Sequence, residues 1–199
     1  MKKEHVTDKF QVIEVLQMLE HKGSVEIKTD RLLLRKFNID DAEQIFSAWT
    51  SDERVARYTS WHAHKSIEDT KAYVEYIASK AKISDYNWVI KLDSKIIGSI
   101  NVCYSDEHLE IAGIAYVLAH DYWEKGYMTE AARAVIKFLF NDVNYRKIIA
   151  GCDSENIGSS KVMEKVGMKR EAVLREQIKR KDGTWGDDFQ YGILRREFE

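Results

Sequence analysis

Three β-rich runs follow one another in the middle of the chain, at residues 86–92, 95–104 and 109–118. The first two meet at Asp93-Ser94, a polar turn that predicts an antiparallel hairpin, and the third extends the hairpin into a meander. Residues 129–140 then change period: small Ala131, Ala132 and Ala134 stand beside Val135, Phe138 and Leu139, an amphipathic helix. A strand at 145–153 follows, then a helix at 157–166 closed by Gly167. A last hairpin, 168–180 with 185–194, turns at Asp182-Gly183. Upstream, VEIKTDRLLLRKF from Val25 reads as one strand. Asp40 or Asp41 can cap a helix whose apolar face is Ala42, Ile45, Phe46 and Trp49. Ser66 and Asp69 resemble a capping box that opens a helix through Tyr73, Ile77 and Lys80. Phe10, Ile13 and Leu19 form a helical stripe from residue 4 to about 21, which Gly23 stops. The expected architecture is α/β: a mixed, mostly antiparallel sheet flanked by helices in one domain, residues 24–199. Residues 1–23 are expected to be a helical extension packed on it.

Composition narrows the function classes. Apolar residues are 44% and charged residues 32% of 199, as in ordinary globular domains. Thirty-one Lys and Arg against 33 Asp and Glu leave a net charge of -2, so nothing asks for nucleic acid or an anionic membrane. No apolar run approaches a membrane span, and the charged start MKKEHVTDKF lacks the apolar core of a signal peptide. A cytoplasmic location is the expectation. Cys103 and Cys152 are too few and too far apart for a disulfide framework or a zinc site, and no metal is expected.

The chemistry is concentrated between Ala115 and Glu130. A strand ends near Leu118, a loop carries Trp123-Glu-Lys-Gly-Tyr-Met128, and a helix is expected from Thr129. A helix N-terminus aims free N–H groups and a partial positive charge at one point, which suits a phosphate or pyrophosphate. Gly126 lets the backbone approach a ligand without a Cβ, and Lys125 could add a charge. The loop is neither a P-loop, lacking Gly-Lys-Ser/Thr, nor a dinucleotide fingerprint, lacking three glycines in a parallel βαβ unit.

Four stretches now carry a resemblance: TDRLLLRKFNIDDAE, AYVLAHDYWEKGYMTEAARAVIKFLF, DSENIGSSKVMEKVGM and DDFQYGILRREF. In this order and spacing, from Thr29 onward, the chain resembles the GNAT N-acetyltransferase superfamily and its RimJ/RimL-like branch. The resemblance implies acetyl-CoA as cosubstrate. It places the pyrophosphate on the residues from Trp123 through Lys125, Gly126, Tyr127 and Met128 to Thr129. The family's pattern there is Arg or Gln, two residues, Gly, one residue, then Gly or Ala; Trp123 and Met128 depart from it. Val117 and Leu118 match strand residues whose backbone splays, through a bulge, to pair with the pantetheine arm. Asn156 matches a polar residue that contacts pantetheine.

A leaving thiolate needs a proton and an attacking ammonium must lose one. Many family members place Tyr seven residues after the Asn, where this chain has Met163. Ser159, three after Asn156, matches a serine proposed as the acid in this branch, and it equally suits a first-turn residue that satisfies free N–H groups. The branch's Glu-Ile-Gly-Tyr reads Gly113-Ile-Ala-Tyr116 here, so its Glu is missing. Glu110 and Asp153 are the carboxylates left as bases, and Tyr116 could relay through water. His62-Ala-His64 lacks a third metal ligand and reads as an exposed loop. His108 and His120 bracket the third strand of the meander. Tyr58, Trp61, Tyr73 and Tyr76 could wall an acceptor pocket, although packing is the commoner task for such rings. The expected acceptor is a primary amine, either a protein N-terminus or a small molecule, on a monomer or homodimer. The alternative is an acyl-CoA-binding module without turnover.

Overall fold

The run from Val25 folds back on itself. Thr29 Oγ1 accepts the Leu32 N–H at 2.9 Å and the Thr29 N–H donates to the Leu32 carbonyl, so Thr29-Asp30-Arg31 is a turn. One expected strand is therefore two, β1 (Ile27–Lys28) and β2 (Leu32–Arg35). A computed structural model describes residues 18–79 and 82–198. The further elements are α1 (Ala42–Ile45), continued by a π-helical turn Phe46–Thr50, α2 (Glu53–Ala56), α3 (Ile67–Ser79), β3 (Asn87–Leu92), β4 (Lys95–Asp106) and β5 (Ile111–Leu118). After them come α4 (Tyr127–Asn141), β6 (Lys147–Asp153), α5 (Ile157–Lys165), β7 (Lys169–Lys179) and β8 (Trp185–Leu194). The eight strands form one sheet in the order β1-β2-β3-β4-β5-β6-β8-β7. Every neighbouring pair is antiparallel except β5 and β6.

Helices cover both faces. Val135, Ile136 and Leu139 of α4 and Met163 of α5 pack on Leu34, Trp88, Ile100 and Ile114. On the other face Ile45, Trp49 and Val74 pack on Val89 and Ile96. The largest fully buried side chains include Trp49, Trp88, Tyr86 and Tyr145, each of which removes a large apolar area from water.

The parallel pair β5–β6 positions the site. It is registered only at Ile111–Lys147, Ala112–Ile148 and Gly113–Ile149, and beyond that the two strands part. Across β5, the register with β4 passes from Ile114–Val102 to Gly113–Tyr104, so Cys103 is the extra residue of a bulge. The bulge thus lies in β4, beside the point of parting, and not in β5 at Val117 and Leu118 as the resemblance implied.

Local differences have local causes. The cap lies one turn earlier than expected: Asn38 opens a 3-10 turn, Ile39–Asp41, that leads into α1, its Oδ1 accepting the Asp40 N–H at 3.1 Å. Asp41 closes the box by accepting the Asn38 N–H at 2.8 Å and, buried, grips Arg35 through two bonds of 2.7 Å. The Ser66–Asp69 box forms as expected, each side chain accepting the other residue's N–H. Helix α4 starts at Tyr127, two residues earlier than expected, because Gly126 takes a left-handed φ of 79° and turns the chain into it. Most of the N-terminal stripe lies outside the described residues. Residues 18–23 are not helical: the Glu20 N–H bonds Val143 and the Gly23 N–H bonds Ile83.

Candidate active site

The end of β5, its loop and the start of α4 build one wall. Gly126 offers no capping side chain, so the first-turn N–H groups of Tyr127, Met128 and Thr129 lack a cap at the helix's positive end. Met128 is 4% exposed in the core under α4, so its side chain points away from that end. This is how a methionine fits a position where the family pattern has Gly or Ala. Trp123 is fixed by its indole N–H, which donates to the Leu118 carbonyl at 2.7 Å, and by a tilted ring contact with His120 at 4.7 Å. Lys125 turns its ammonium back to the Asp121 carbonyl at 2.7 Å.

The cation beside Gly126 is one that sequence reasoning missed. Arg31 Nη1 donates to the Lys125 carbonyl at 3.1 Å, and its guanidinium lies 4.4 Å over the Tyr127 ring. A Cβ built on Gly126 would stand 3.6 Å from Arg31 Nη2. Glu130 holds this arginine through its Nε at 2.6 Å and its main-chain N–H, and accepts the Thr29 hydroxyl at 2.6 Å. Burial would raise the Glu130 carboxyl, but these donors together hold it below its usual range. Nearly a hundred residues separate Arg31 from Glu130. No spacing rule reaches that far; only the turn at Thr29 could have hinted at it.

The gap between β5 and β6 is the second wall. The Ala119 N–H bonds Ile97 of the β4 side at 2.8 Å. Alternation from that bond turns the main-chain groups of Val117 toward β4 and those of Tyr116 and Leu118 toward the gap. So the Leu118 N–H and the main-chain groups of Tyr116, rather than those of Val117, turn to the gap, the Leu118 carbonyl being taken by Trp123. Across the gap, Asn156 caps α5, its Oδ1 accepting the Ser159 N–H at 3.2 Å. The Ser159 hydroxyl lies 2.9 Å from the Tyr116 hydroxyl, which also reaches the Ser159 carbonyl at 3.2 Å. Burial pushes the Tyr116 phenol well above its ordinary range, so it stays protonated. Met163 is buried below Ser159, while Ser160 turns inward to Cys152 at 3.3 Å.

Neither expected carboxylate is placed to act as a base. Glu110 sits in the turn before β5 with φ 53°, its carbonyl accepting the N–H groups of Arg146 and Lys147. That is the opposite end of β5 from Leu118, roughly 25 Å of strand away. Asp153 is at the right end of β6, but Arg180 grips it with bonds of 2.7 and 2.8 Å. Those bonds hold its carboxyl below the usual range, which makes it a weak base.

On the opposite face of the sheet lies a pocket of about 230 Å³ lined by Phe37, Trp61, Tyr73, Ile77, Asn87, Ser99 and Asn101. Ser99 and Asn101 pair with Val117 and Ala115, so the pocket floor adjoins the strand that edges the gap. Tyr73 bonds Ser99, and burial raises its phenol. No lining residue carries a charge. Of the four aromatic residues expected at an acceptor pocket, Trp61 and Tyr73 line it; Tyr58 and Tyr76 do not.

A sheet opened between two parallel neighbours, with a helix N-terminus at the mouth, is the plan of an acyltransferase. The acetyltransferase (GNAT) domain profile matches residues 31–169, and the chain belongs to that family, whose members use acetyl-CoA. The uncharacterized N-acetyltransferase YnaD of Bacillus subtilis strain 168 is 36% identical over 87% of this chain and 99% of its own. A GNAT-family acetyltransferase from Bacillus anthracis shares 34% identity and a TM-score of 0.77, covering 87% of this chain and 100% of its own. The ribosomal-protein-S5-alanine acetyltransferase from Vibrio fischeri, at 20% identity, shares the fold with a TM-score of 0.76, covering 88% and 100%.

Proposed function

We propose that the protein transfers the acetyl group of acetyl-CoA directly to a primary amine while both are bound. The observation that carries this is the position of β5: one edge opens into the gap, and its outer face adjoins the uncharged pocket. The cosubstrate's pyrophosphate rests on residues 123–129, with Arg31 supplying the charge that Trp123 lacks. The pantetheine arm runs along Tyr116 and Leu118 toward Asn156. The thioester oxygen, as it becomes anionic, takes a hydrogen bond from a free N–H of that edge. The amine enters from the pocket, attacks the carbonyl carbon, and the C–S bond breaks. Ser159 then hydrogen-bonds the departing sulfur and delivers its proton.

The acceptor carries one positive charge beside an uncharged group, as a protein α-amine or a small mono-amine does. A pocket with aromatic and amide walls and no carboxylate offers nothing to the further charges of a polyamine. The test is turnover: release of free CoA from acetyl-CoA with alaninamide, phenethylamine and spermidine, with products confirmed by mass. The mono-amines should be acetylated well ahead of spermidine. Binding of acetyl-CoA without CoA release from any amine would favour an acyl-CoA-binding module instead.

A further inference from the structure

The proposed reaction lacks a base, and the carboxylates expected for it are misplaced or locked. A group outside that set is better placed. His64, in the loop before α3, has its ring 5.8 Å from Trp61 and edge-on to Tyr73 at 6.1 Å, the two rings that wall the pocket.

The hydrogen bonds around the ring set which of its nitrogens meets the pocket. His64 Nδ1 lies 2.8 Å from the Thr70 hydroxyl, which lies 2.9 Å from the Thr50 hydroxyl. Both threonines are buried, at 2% and 0% exposure, where no water competes for the bonds. With Nδ1 engaged by Thr70, Nε2 is the ring nitrogen left for a substrate, and it carries the lone pair in the Nδ1–H tautomer, in which Nδ1 donates to Thr70.

We propose that His64 is the general base: its Nε2, directly or through one water in the pocket, takes the proton from the acceptor ammonium. This rests on the acceptor binding between Trp61 and Tyr73 as proposed above. The N–H bond breaks, its electron pair remains on nitrogen and forms the C–N bond, and the proton sits on Nε2 until solvent removes it. The charge state suits the task. Burial lowers the imidazole from its ordinary range, and Asp69 of α3 opposes this with a smaller upward pull. Tyr73 faces it as an uncharged phenol. From the last hairpin, Lys181 brings its ammonium to the carbonyls of Ala56 and Trp61, the near side of the same loop. The imidazole is thus unprotonated at neutral pH, as a base must be.

The experiment is a pH profile of kcat/KM for alaninamide, from pH 6 to 10, for the parent and His64→Gln. At pH 7 the variant should lose on the order of 10²-fold. Its deficit should shrink as pH rises toward the amine's own pKa, because a free amine needs no base. Acetyl-CoA affinity and the thermal melt should stay as in the parent. A loss of the same factor at every pH, or no loss, overturns the assignment. The tautomer is a second handle that needs no variant: ¹⁵N shifts of the parent's His64 should show the proton on Nδ1, and a proton on Nε2 at neutral pH overturns it as well. Trp61→Ala separates this from the underlying reading. If it raises the alaninamide KM while His64→Gln leaves the profile unchanged, only the base is wrong. If neither variant affects the amine, the acceptor does not bind in this pocket.

Discussion

At the scale of single residues, the proposed site turns on one glycine and one pair of hydroxyls. Gly126 carries a φ of 79°, and its Cβ position faces both the helix N-terminus and Arg31. Gly126→Asp adds strain of about 1–3 kcal/mol for a non-glycine residue there, and a negative charge that binds Arg31 in place of a phosphate. Acetyl-CoA affinity by calorimetry should fall about tenfold or more. Gly126→Ala, which adds only the strain, should fall less. Equal affinity in a folded Gly126→Asp protein would take this loop out of the cofactor site. The Tyr116–Ser159 pair separates a chemical role from a capping one. Ser159 gives its N–H to Asn156 in any case, so the cap survives Ser159→Ala and the melt should barely move. If the hydroxyl serves the leaving sulfur, kcat at saturating acetyl-CoA should fall by roughly 10²-fold. Tyr116→Phe should lower kcat less, because it removes only the bond that orients Ser159. A preserved kcat in Ser159→Ala would leave the serine as a first-turn residue alone.

At the scale of elements, legibility in the sequence followed the range of the interaction that makes each one. The meander, α4 and the last hairpin were readable because period, turn and cap all lie within a few residues. Asp93 and Gly183 take the positive φ that their turns require. Helix α2 was missed, since four residues hold no period, although Asp52 caps it by accepting the Arg54 N–H. The run from Val25 was misread because Thr29 can end a strand as well as continue one, and only its hydroxyl's bonds to Leu32 decide. A splay of the strand at Val117 and Leu118 was expected from the resemblance, but the parting of β5 from β6 and the bulge at Cys103 beside it depend on cross-strand register and leave no local trace. The same holds for the site. Loop 123–126 and Asn156 were legible, while the Arg31, Tyr116–Ser159 and His64–Thr70 contacts join residues through the fold. His64 was read as an exposed loop residue because Thr70, which meets its Nδ1, and Thr50 behind it are set around it by two other segments.

At the scale of the molecule, the two ends of the sheet have separate tasks. The loop 123–126, Arg31 and the turn at Asp93 stand at one end; Tyr86, Ser105, Val143 and Tyr145 stand at the other. Residues 18–23 dock at this second end. Leu19 packs on the main core, the Glu20 N–H bonds Val143, and His21 Nδ1 meets the Tyr86 hydroxyl at 3.0 Å. The extension boundary near residue 23 therefore cuts through packed structure, and two truncations can measure that. Removing residues 1–17 leaves these contacts in place, whereas removing residues 1–23 strips them from Tyr86 and Val143. The step between the two truncations should cost on the order of 2 kcal/mol, from half-buried apolar area and two or three hydrogen bonds. In a chain of this size that lowers the melting temperature by roughly 4–8 °C. Acetyl-CoA affinity should be equal in both, because the docking site is a strand's length from Gly126 and shares no partner with it. Loss of affinity in the shorter protein, while it remains folded, would show that the two ends are coupled and that the extension belongs to the catalytic unit.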